Sequence, residues 1–338
     1  MFGVVLLVAG LALIIASLLK AQRREYAEGL MHEEGHFVGA GGLELYWQCW
    51  RADSEPASPR VVVTLVHGVG EHSGRYSNLV GPLVDDGYPV YAYDQRGHGR
   101  SPGPRVYVER WADYREDLGS FLALVAERAP GRPIVLYGHS MGSLVVLDYL
   151  LQSESEPESV PEPESVSEPE AEPESGPGPH GRPPLAGAVV SGVALQPAGI
   201  GKPYQATMAR VLSRVVPRLS VDLGIDAGSL TRDPKALLAA RADPLLTSRA
   251  TVRWGAEGLA TVRHVNEGMA AIDLPLLVLH GGADPLNRPA GAQALFDTVS
   301  SADRTLRIYP GVCHEPHNDL GHEQVAADVK EWLAHLSR

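Results

Sequence analysis

The stretch Val135-Leu136-Tyr137-Gly138-His139-Ser140-Met141-Gly142 sets a serine between two glycines, after an apolar run and before a helical one. A hydroxyl becomes a nucleophile when a base takes its proton and an acid orients the base. Gly-x-Ser-x-Gly at a strand-to-helix turn suits that chemistry, because the tight turn lifts the hydroxyl above the sheet edge. The helix start then aims amide donors and positive dipole at the site. A glycine-rich turn with an incidental serine shares the bare spacing. The strand–turn–helix context points instead to a nucleophile elbow, with the Met141 N–H as one oxyanion donor.

A base and an acid are needed next, in the chain order serine, acid, histidine. Asp284 follows the apolar run Leu276–His280 and its glycines, and His314 follows Thr305–Tyr309 and a Pro-Gly turn. Both lie just past expected strands, on the sheet edge where Ser140 stands. Asp284 could otherwise be a turn cap before Pro285. His317 and His322 compete with His314, which is preferred because it comes first after the strand. A second oxyanion donor belongs in the turn after an earlier strand. His67-Gly68-Val69-Gly70-Glu71-His72 is that turn, and the Val69 N–H is the candidate. Such a site needs no metal and no organic cofactor.

The elements that must position these groups are legible as alternating apolar runs and amphipathic stretches. Strands are expected at Glu44–Arg51, Arg60–His67, Pro89–Asp94, Pro133–Gly138, Leu185–Ser191, Leu276–His280 and Thr305–Tyr309. Helices are expected at Tyr76–Asp86, Arg110–Ala129, Met141–Gln152, Ala290–Val299 and His322–Leu336. Short β-branched runs between helices predict an α/β fold, with a mostly parallel, doubly wound sheet. Between Ala194 and Ile272 the pattern turns helical with no clear strand, which predicts an inserted helical cap over residues 195–272.

The chain has 338 residues and a formal charge of −12, with 29 Lys+Arg against 41 Asp+Glu. That balance argues against a nucleic-acid binder, which needs a basic stripe. Cys49 and Cys313 cannot make a disulfide framework or a Cys-x-x-Cys zinc site. The charge is uneven. Ser153–Gly181, rich in Glu, Pro and Ser, holds nine glutamates and no Lys or Arg, so the remainder carries −3. This acidic insert is expected to be a disordered loop, because it cannot bury enough surface to offset its ordering entropy. It could serve as a contact for an unknown partner. At the other extreme, Phe2–Leu19 has no charged residue, and Lys20, Arg23 and Arg24 follow. Eighteen such residues would span roughly 27 Å as a helix. Residues 1–24 are therefore expected to form a single-pass transmembrane anchor with a basic flank. The positive-inside rule then puts the main domain, residues 34–338, in the cytoplasm.

Together these strings resemble the monoglyceride lipase and lysophospholipase branch of the α/β-hydrolases, which is serine aminopeptidase S33-like. His67-Gly68-Val69-Gly70-Glu71-His72-Ser73-Gly74-Arg75-Tyr76 is similar to that family's oxyanion turn. Asp94-Gln95-Arg96-Gly97-His98-Gly99-Arg100-Ser101 is similar to its Asp-x-Arg-Gly-His-Gly-x-Ser turn, and Gly138–Gly142 to its elbow. The resemblance implies an α/β-hydrolase fold, a Ser140/His314/Asp284 triad and a helical cap over an acyl pocket. It also implies a polar shell of Glu71, Arg75 and His317, and an acyl-lipid substrate met at a membrane surface. Monoacylglycerol is the first expectation, with lysophospholipid or a general carboxylic ester as alternatives. Three positions depart from the family: Ala240 stands where many relatives carry a tyrosine before Asp243-Pro244-Leu245, Ser143 where a second glycine is common, and the acidic insert where a short turn is usual.

Other motifs weigh less. His32-Glu33-Glu34-Gly35-His36 fits a zinc-binding helix pattern, but Gly35 and the glycines after Val38 read as a solvated segment before a hairpin. The glycines after His67, with Asp94 beyond, mimic a dinucleotide site at the wrong spacing. Arg210, Arg214 and Arg218 alternate with apolar residues, as in a helix lying on an anionic membrane or a cap helix packed on a core. A binding or scaffolding protein on a hydrolase fold is the alternative from another class. An intact serine, histidine and aspartate argue against it.

Overall fold

The computed structural model describes residues 30–53, 61–152, 183–198 and 203–336. Its strands are β1 (Leu30–Val38), β2 (Glu44–Ala52), β3 (Val62–Val66), β4 (Val90–Tyr93), β5 (Ile134–His139), β6 (Leu185–Ser191), β7 (Ser220–Asp222), β8 (Arg249–Thr251), β9 (Leu276–Gly281) and β10 (Arg304–Tyr309). Its α-helices are α1 (Ser77–Asp85), α2 (Ala112–Arg128), α3 (Met141–Gln152), α4 (Pro203–Val215), α5 (Ala227–Leu230), α6 (Pro234–Ala242), α7 (Val252–Gly268), α8 (Pro289–Thr298) and α9 (His322–Leu336).

Eight strands form one sheet in the order β1-β2-β4-β3-β5-β6-β9-β10. Pairing from β4 onward is parallel, while β1–β2 and β2–β4 are antiparallel. Side chains alternate across a strand, so β5 feeds both faces. Ile134 and Leu136 join one apolar cluster with Leu118, Phe121, Leu144 and Leu147 from α2 and α3. Val135 and Tyr137 join the other, with Leu79 and Leu83 of α1 and Val329 and Trp332 of α9. Burying each such side chain contributes roughly 1.5–3 kcal/mol. A central strand covered on both faces is therefore a rigid base for the residue that follows it, Ser140. Parallel pairing brings the carboxyl ends of β3, β5, β6, β9 and β10 to one edge, and the segment between β6 and β9 returns over that edge.

Three expectations change. First, the His32–His36 segment, exposed as expected, is itself the strand β1, paired with β2 from Leu30↔Ala52 to Val38↔Glu44. His32 stacks on Trp50 and His36 meets Tyr46 edge-on. Those cross-strand rings supply the partner that the segment lacks when read alone. Second, the 195–272 region contains the antiparallel pair β7–β8, too short for a periodicity signal.

Third, the membrane anchor has no support. Phe2–Leu19 lies outside the described residues, and among the described residues no helix is long and apolar enough to cross a membrane. A span needs ~20 apolar residues. The longest helices, α2 and α7, have 17 residues each, and α2 carries Asp113, Arg115, Glu116 and Asp117. The N-terminal transmembrane helix is therefore withdrawn from the fold, and the membrane and cytoplasmic placement built on it goes too. The acidic stretch Ser153–Gly181 also falls outside the described residues.

Candidate active site

Ser140 occupies the turn between β5 and α3 with φ 51°, a left-handed conformation rare for a residue with a Cβ. Backbone strain of this kind costs about 1–3 kcal/mol and persists only where the surroundings impose it. Here they do. Ser140 N–H donates to Ser191 O at 2.9 Å, and Ser143 Oγ donates to Ser140 O at 2.6 Å. The hydroxyl at Ser143, where a glycine was the family expectation, also accepts from Ala194 N–H at 3.2 Å. It thus ties the elbow to the strand end beside it. Gly142 admits no side chain, since a Cβ there would lie 2.0 Å from Val66 O.

The structure brings Asp284 and His314 to Ser140 from the ends of β9 and β10. His314 Nε2 lies 2.9 Å from Ser140 Oγ, and His314 Nδ1 lies 2.8 Å from Asp284 Oδ2. The aspartate accepts at Nδ1, which fixes the tautomer and leaves Nε2 free to accept the serine proton. Burial pushes the Asp284 carboxyl up, but hydrogen bonds from His280 and His314 outweigh it and hold the group well below the carboxylate range. For His314, burial pushes the imidazolium down, and Asp284 more than restores it, so its pKa is raised. His317 and His322 do not approach Ser140 in this way. Neither ring nitrogen of His317 has a hydrogen-bond partner among the described residues. Its ring stacks on Tyr76 at 4.4 Å, and burial holds its pKa down at about 4.

The turn after β3 packs against the elbow. A Cβ on Gly68 would lie 2.7 Å from Glu71 Oε1 and 3.1 Å from the Ser140 Cβ, so glycine lets the Gly68–Val69 backbone come this close without displacing either. Val69 is half-buried beside the core. Glu71 Oε1 accepts from Gly68 N–H at 2.6 Å and from the Tyr76 hydroxyl at 2.7 Å. Arg75 donates to Glu71 Oε2 at 3.0 Å, and to both oxygens of Glu315 at 2.6 and 2.9 Å. Burial alone would lower the guanidinium's pKa, but Glu315 and Glu71 hold it above its usual range. Burial likewise pushes Glu315 up, and Arg75 brings it down to about 2. This buried ion triad joins the Gly68–Glu71 turn to the residue beside His314. Behind it, Gln95 N–H donates to His67 Nε2 at 2.9 Å, and Gln95 Nε2 donates to His67 O at 2.6 Å.

Three residues with a part in this geometry escape sequence reading. Glu315 is hidden because Arg75 lies 240 residues away in the chain. His280 Nε2 stands 3.2 Å from Asp284 Oδ2, while its Nδ1 accepts from Val193 N–H at 3.1 Å. Asn287 N–H donates to Asp284 Oδ1 at 3.0 Å. The one available signal was proximity of His280 and Asn287 to Asp284 in sequence. From the cap, Trp254 on α7 donates its indole N–H to Met141 Sδ at 3.3 Å, roofing the residue after the serine.

The chain is similar to proteins of a known family. A family model described as serine aminopeptidase, S33 matches residues 57–160 and 178–321. The monoacylglycerol lipase of Mycolicibacterium smegmatis is 32% identical over 305 residues, covering 90% of this chain and 98% of the relative. The monoglyceride lipase of Homo sapiens is 29% identical, covering 88% and 89%. The crystal structure of a Paleococcus ferrophilus monoacylglycerol lipase superposes with a TM-score of 0.67 at 27% identity, covering 90% of this chain and 99% of that one.

Proposed function

The chain belongs to the serine aminopeptidase S33 family of α/β-hydrolases, and from that premise we propose that it is a monoacylglycerol lipase acting through an acyl-enzyme on Ser140. The observation that carries the mechanism is the unbroken line Ser140 Oγ, His314, Asp284 at 2.9 and 2.8 Å. Ser140 Oγ attacks the acyl carbonyl while His314 Nε2 takes its proton. Asp284 steadies the imidazolium. Charge on the tetrahedral oxygen is met by the Val69 and Met141 amides, each worth roughly 3–4 kcal/mol in the transition state. His314 returns the proton to the departing glycerol oxygen as the ester bond breaks, leaving the acyl group on Ser140. Water, deprotonated by the same imidazole, then releases the fatty acid and restores the serine.

Two features support an acyl lipid as substrate. The mycobacterial and human relatives are monoacylglycerol and monoglyceride lipases. The cap also presents an apolar rim, with Val211 at 54%, Val215 at 72% and Leu219 at 49% exposure, beside exposed Arg210, Arg214 and Arg218. An amphipathic basic edge of this kind suits the surface of a lipid aggregate. Lysophospholipid is the second reading, because Ala240 on α6 offers no hydroxyl toward a glycerol headgroup.

A fluorophosphonate probe is expected to label the wild type and not Ser140→Ala; equal labelling of both would end the nucleophile assignment. Side-by-side turnover of monoacylglycerol, lysophosphatidylcholine and short p-nitrophenyl esters then tests the substrate. A strong preference for the short esters would overturn the lipid reading and leave the hydrolase intact.

A further inference from the structure

The cap segment from Ser229 to Thr247 is bonded at one end to the histidine loop and at the other to the turn after β3. At the first end, Glu315 N–H donates to Leu230 O at 2.9 Å, and Thr231 Oγ1 donates to Asn318 O at 2.8 Å. The fully buried Asp319 carboxylate gathers both chains. It accepts from Arg232 N–H at 2.8 Å and from Arg232 Nε at 3.1 and 3.0 Å. It also accepts at 2.6 Å from the N–H of Cys313, the residue before His314. At the second end, Thr247 N–H donates to Gly70 O at 2.9 Å. His72 Nε2 meets Asp243 Oδ2 at 2.8 Å. Because Gly74 N–H donates to His72 Nδ1, the ring proton sits on Nε2 and points at the aspartate. Burial raises the Asp243 carboxyl and the His72 bond more than reverses it, so the group is held low.

Between these ends lies α6, nine residues long and about 13 Å from end to end. It is stiffened at its start by Asp233, which caps the Lys235 N–H. Gly70 has φ +70°, and a Cβ there would strike Thr247 O at 2.0 Å, so the cap sits hard against the turn. Under the site the same two loops are joined by Arg75 between Glu71 and Glu315. A loop pair tied only from below could still rotate about that tie. A second tie from above removes the rotation.

We propose that the Ser229–Thr247 segment is a strap that sets the distance between His314 and the oxyanion turn, with Arg232 and Asp243 as its positioning residues. This rests on the reading of Ser140 as nucleophile and goes beyond it: part of the cap belongs to the catalytic frame and does not act as a lid over the acyl pocket. A lid governs entry of long substrates. A strap governs chemistry on any ester, including one too small to need the cap.

The test uses p-nitrophenyl acetate with the full chain and four proteins: wild type, Arg232→Met, Asp243→Asn and the double variant. In Asp243→Asn one of the two acceptors, Oδ1 for the Leu245 N–H or Oδ2 for the His72 N–H, becomes an NH2, so that end loses a bond without loss of volume. Each single variant should lower kcat about tenfold with KM within about twofold, as a sub-ångström misplacement of reacting groups does. Each variant slackens one end while the backbone bonds there remain, and a strap slack at one end no longer sets the distance, so the double variant should fall little further, whereas independent sites would multiply. Lys235→Ala, on the exposed side of α6, should match wild type. Rates are divided by the sites that a fluorophosphonate titrates to completion. If the loss of rate equals the loss of titratable sites, the residues only hold the fold and the strap is wrong. Wild-type kcat in both single variants, or a change in KM alone, also overturns it. Failure of the wild type to titrate would instead overturn the nucleophile assignment.

Discussion

Replacing Arg75 with methionine removes three charge-assisted hydrogen bonds and leaves Glu71 and Glu315 facing each other without a cation. Both carboxylates are buried, with side chains 5% and 2% exposed. Two routes give the size of the effect. Breaking a buried pair by deleting one partner costs about 3–5 kcal/mol. Independently, Glu315 sits at about 2, roughly two units under an ordinary glutamate near ~4.3, which amounts to about 3 kcal/mol. The sign follows from a depressed folded pKa. The contribution is fully present above the unfolded value, and is lost as pH falls through the folded one. Wild-type stability from this group therefore holds down to about pH 5 and drains away toward pH 2. Arg75→Met should lower Tm by about 10 °C at pH 7, taking ~2–4 °C per kcal/mol for a domain this large. The deficit should narrow toward pH 5 as the stranded carboxylates take up protons. Arg75→Lys, which restores charge without the two-pronged contact, should recover part of the loss. Turnover should fall alongside, because Glu71 also holds the Gly68 N–H. Calorimetric melts at pH 7, 6 and 5 measure this. A Tm within 1–2 °C of wild type at pH 7, or a deficit that widens on acidification, would refute the reasoning.

The remaining predictions follow from the proposed roles of Asp284 as acid and His314 as base. Asp284→Asn leaves one acceptor oxygen for two sets of donors, the His314 and His280 rings at Oδ2 and the Leu286 and Asn287 N–H groups at Oδ1; with the backbone pair keeping the oxygen, the new NH2 faces His314 Nδ1, and kcat should drop about 10⁴-fold with the fold intact, read by stopped assays and circular dichroism. The base must be neutral to accept the serine proton, and its pKa is raised above ~6.5. kcat/KM should thus fall with decreasing pH along a limb whose midpoint lies above 6.5. His139 and His317 are held low by burial and should add no second limb beside that of His314. A midpoint below 6 would contradict the Asp284 effect on His314.

How much of this was legible in the chain depends on how far apart the interacting residues lie. The apolar run of β5 and the Gly-x-Ser-x-Gly turn are local, so residues next to one another in sequence already specify strand, elbow and helix start. Asp284 and His314 were legible for a related reason. Parallel pairing sends every strand's carboxyl end to one edge, so an acid and a histidine just past two strands must arrive near the serine. The strand β1 was missed because its exposed glutamates and histidines carry no apolar alternation, and the pairing that makes it a strand comes from β2, with Trp50 and Tyr46 beside its rings. The expected anchor failed on a different point: an apolar run carries length and hydropathy, and among the described residues no helix combines the two.

The chain by itself therefore determined the strand–turn–helix setting of Ser140, the parallel character of the sheet and the hydrolase class of chemistry. Only the tertiary structure decided which carboxylates and cations hold that chemistry in place. Arg75 meets Glu315 across 240 residues, and Arg232 meets Asp319 across 87. No local pattern encodes such pairs, because a buried ion's partner is chosen by whichever loop the folded core delivers to it. The desolvation of these groups, which makes their pairing matter, exists only once the core has closed.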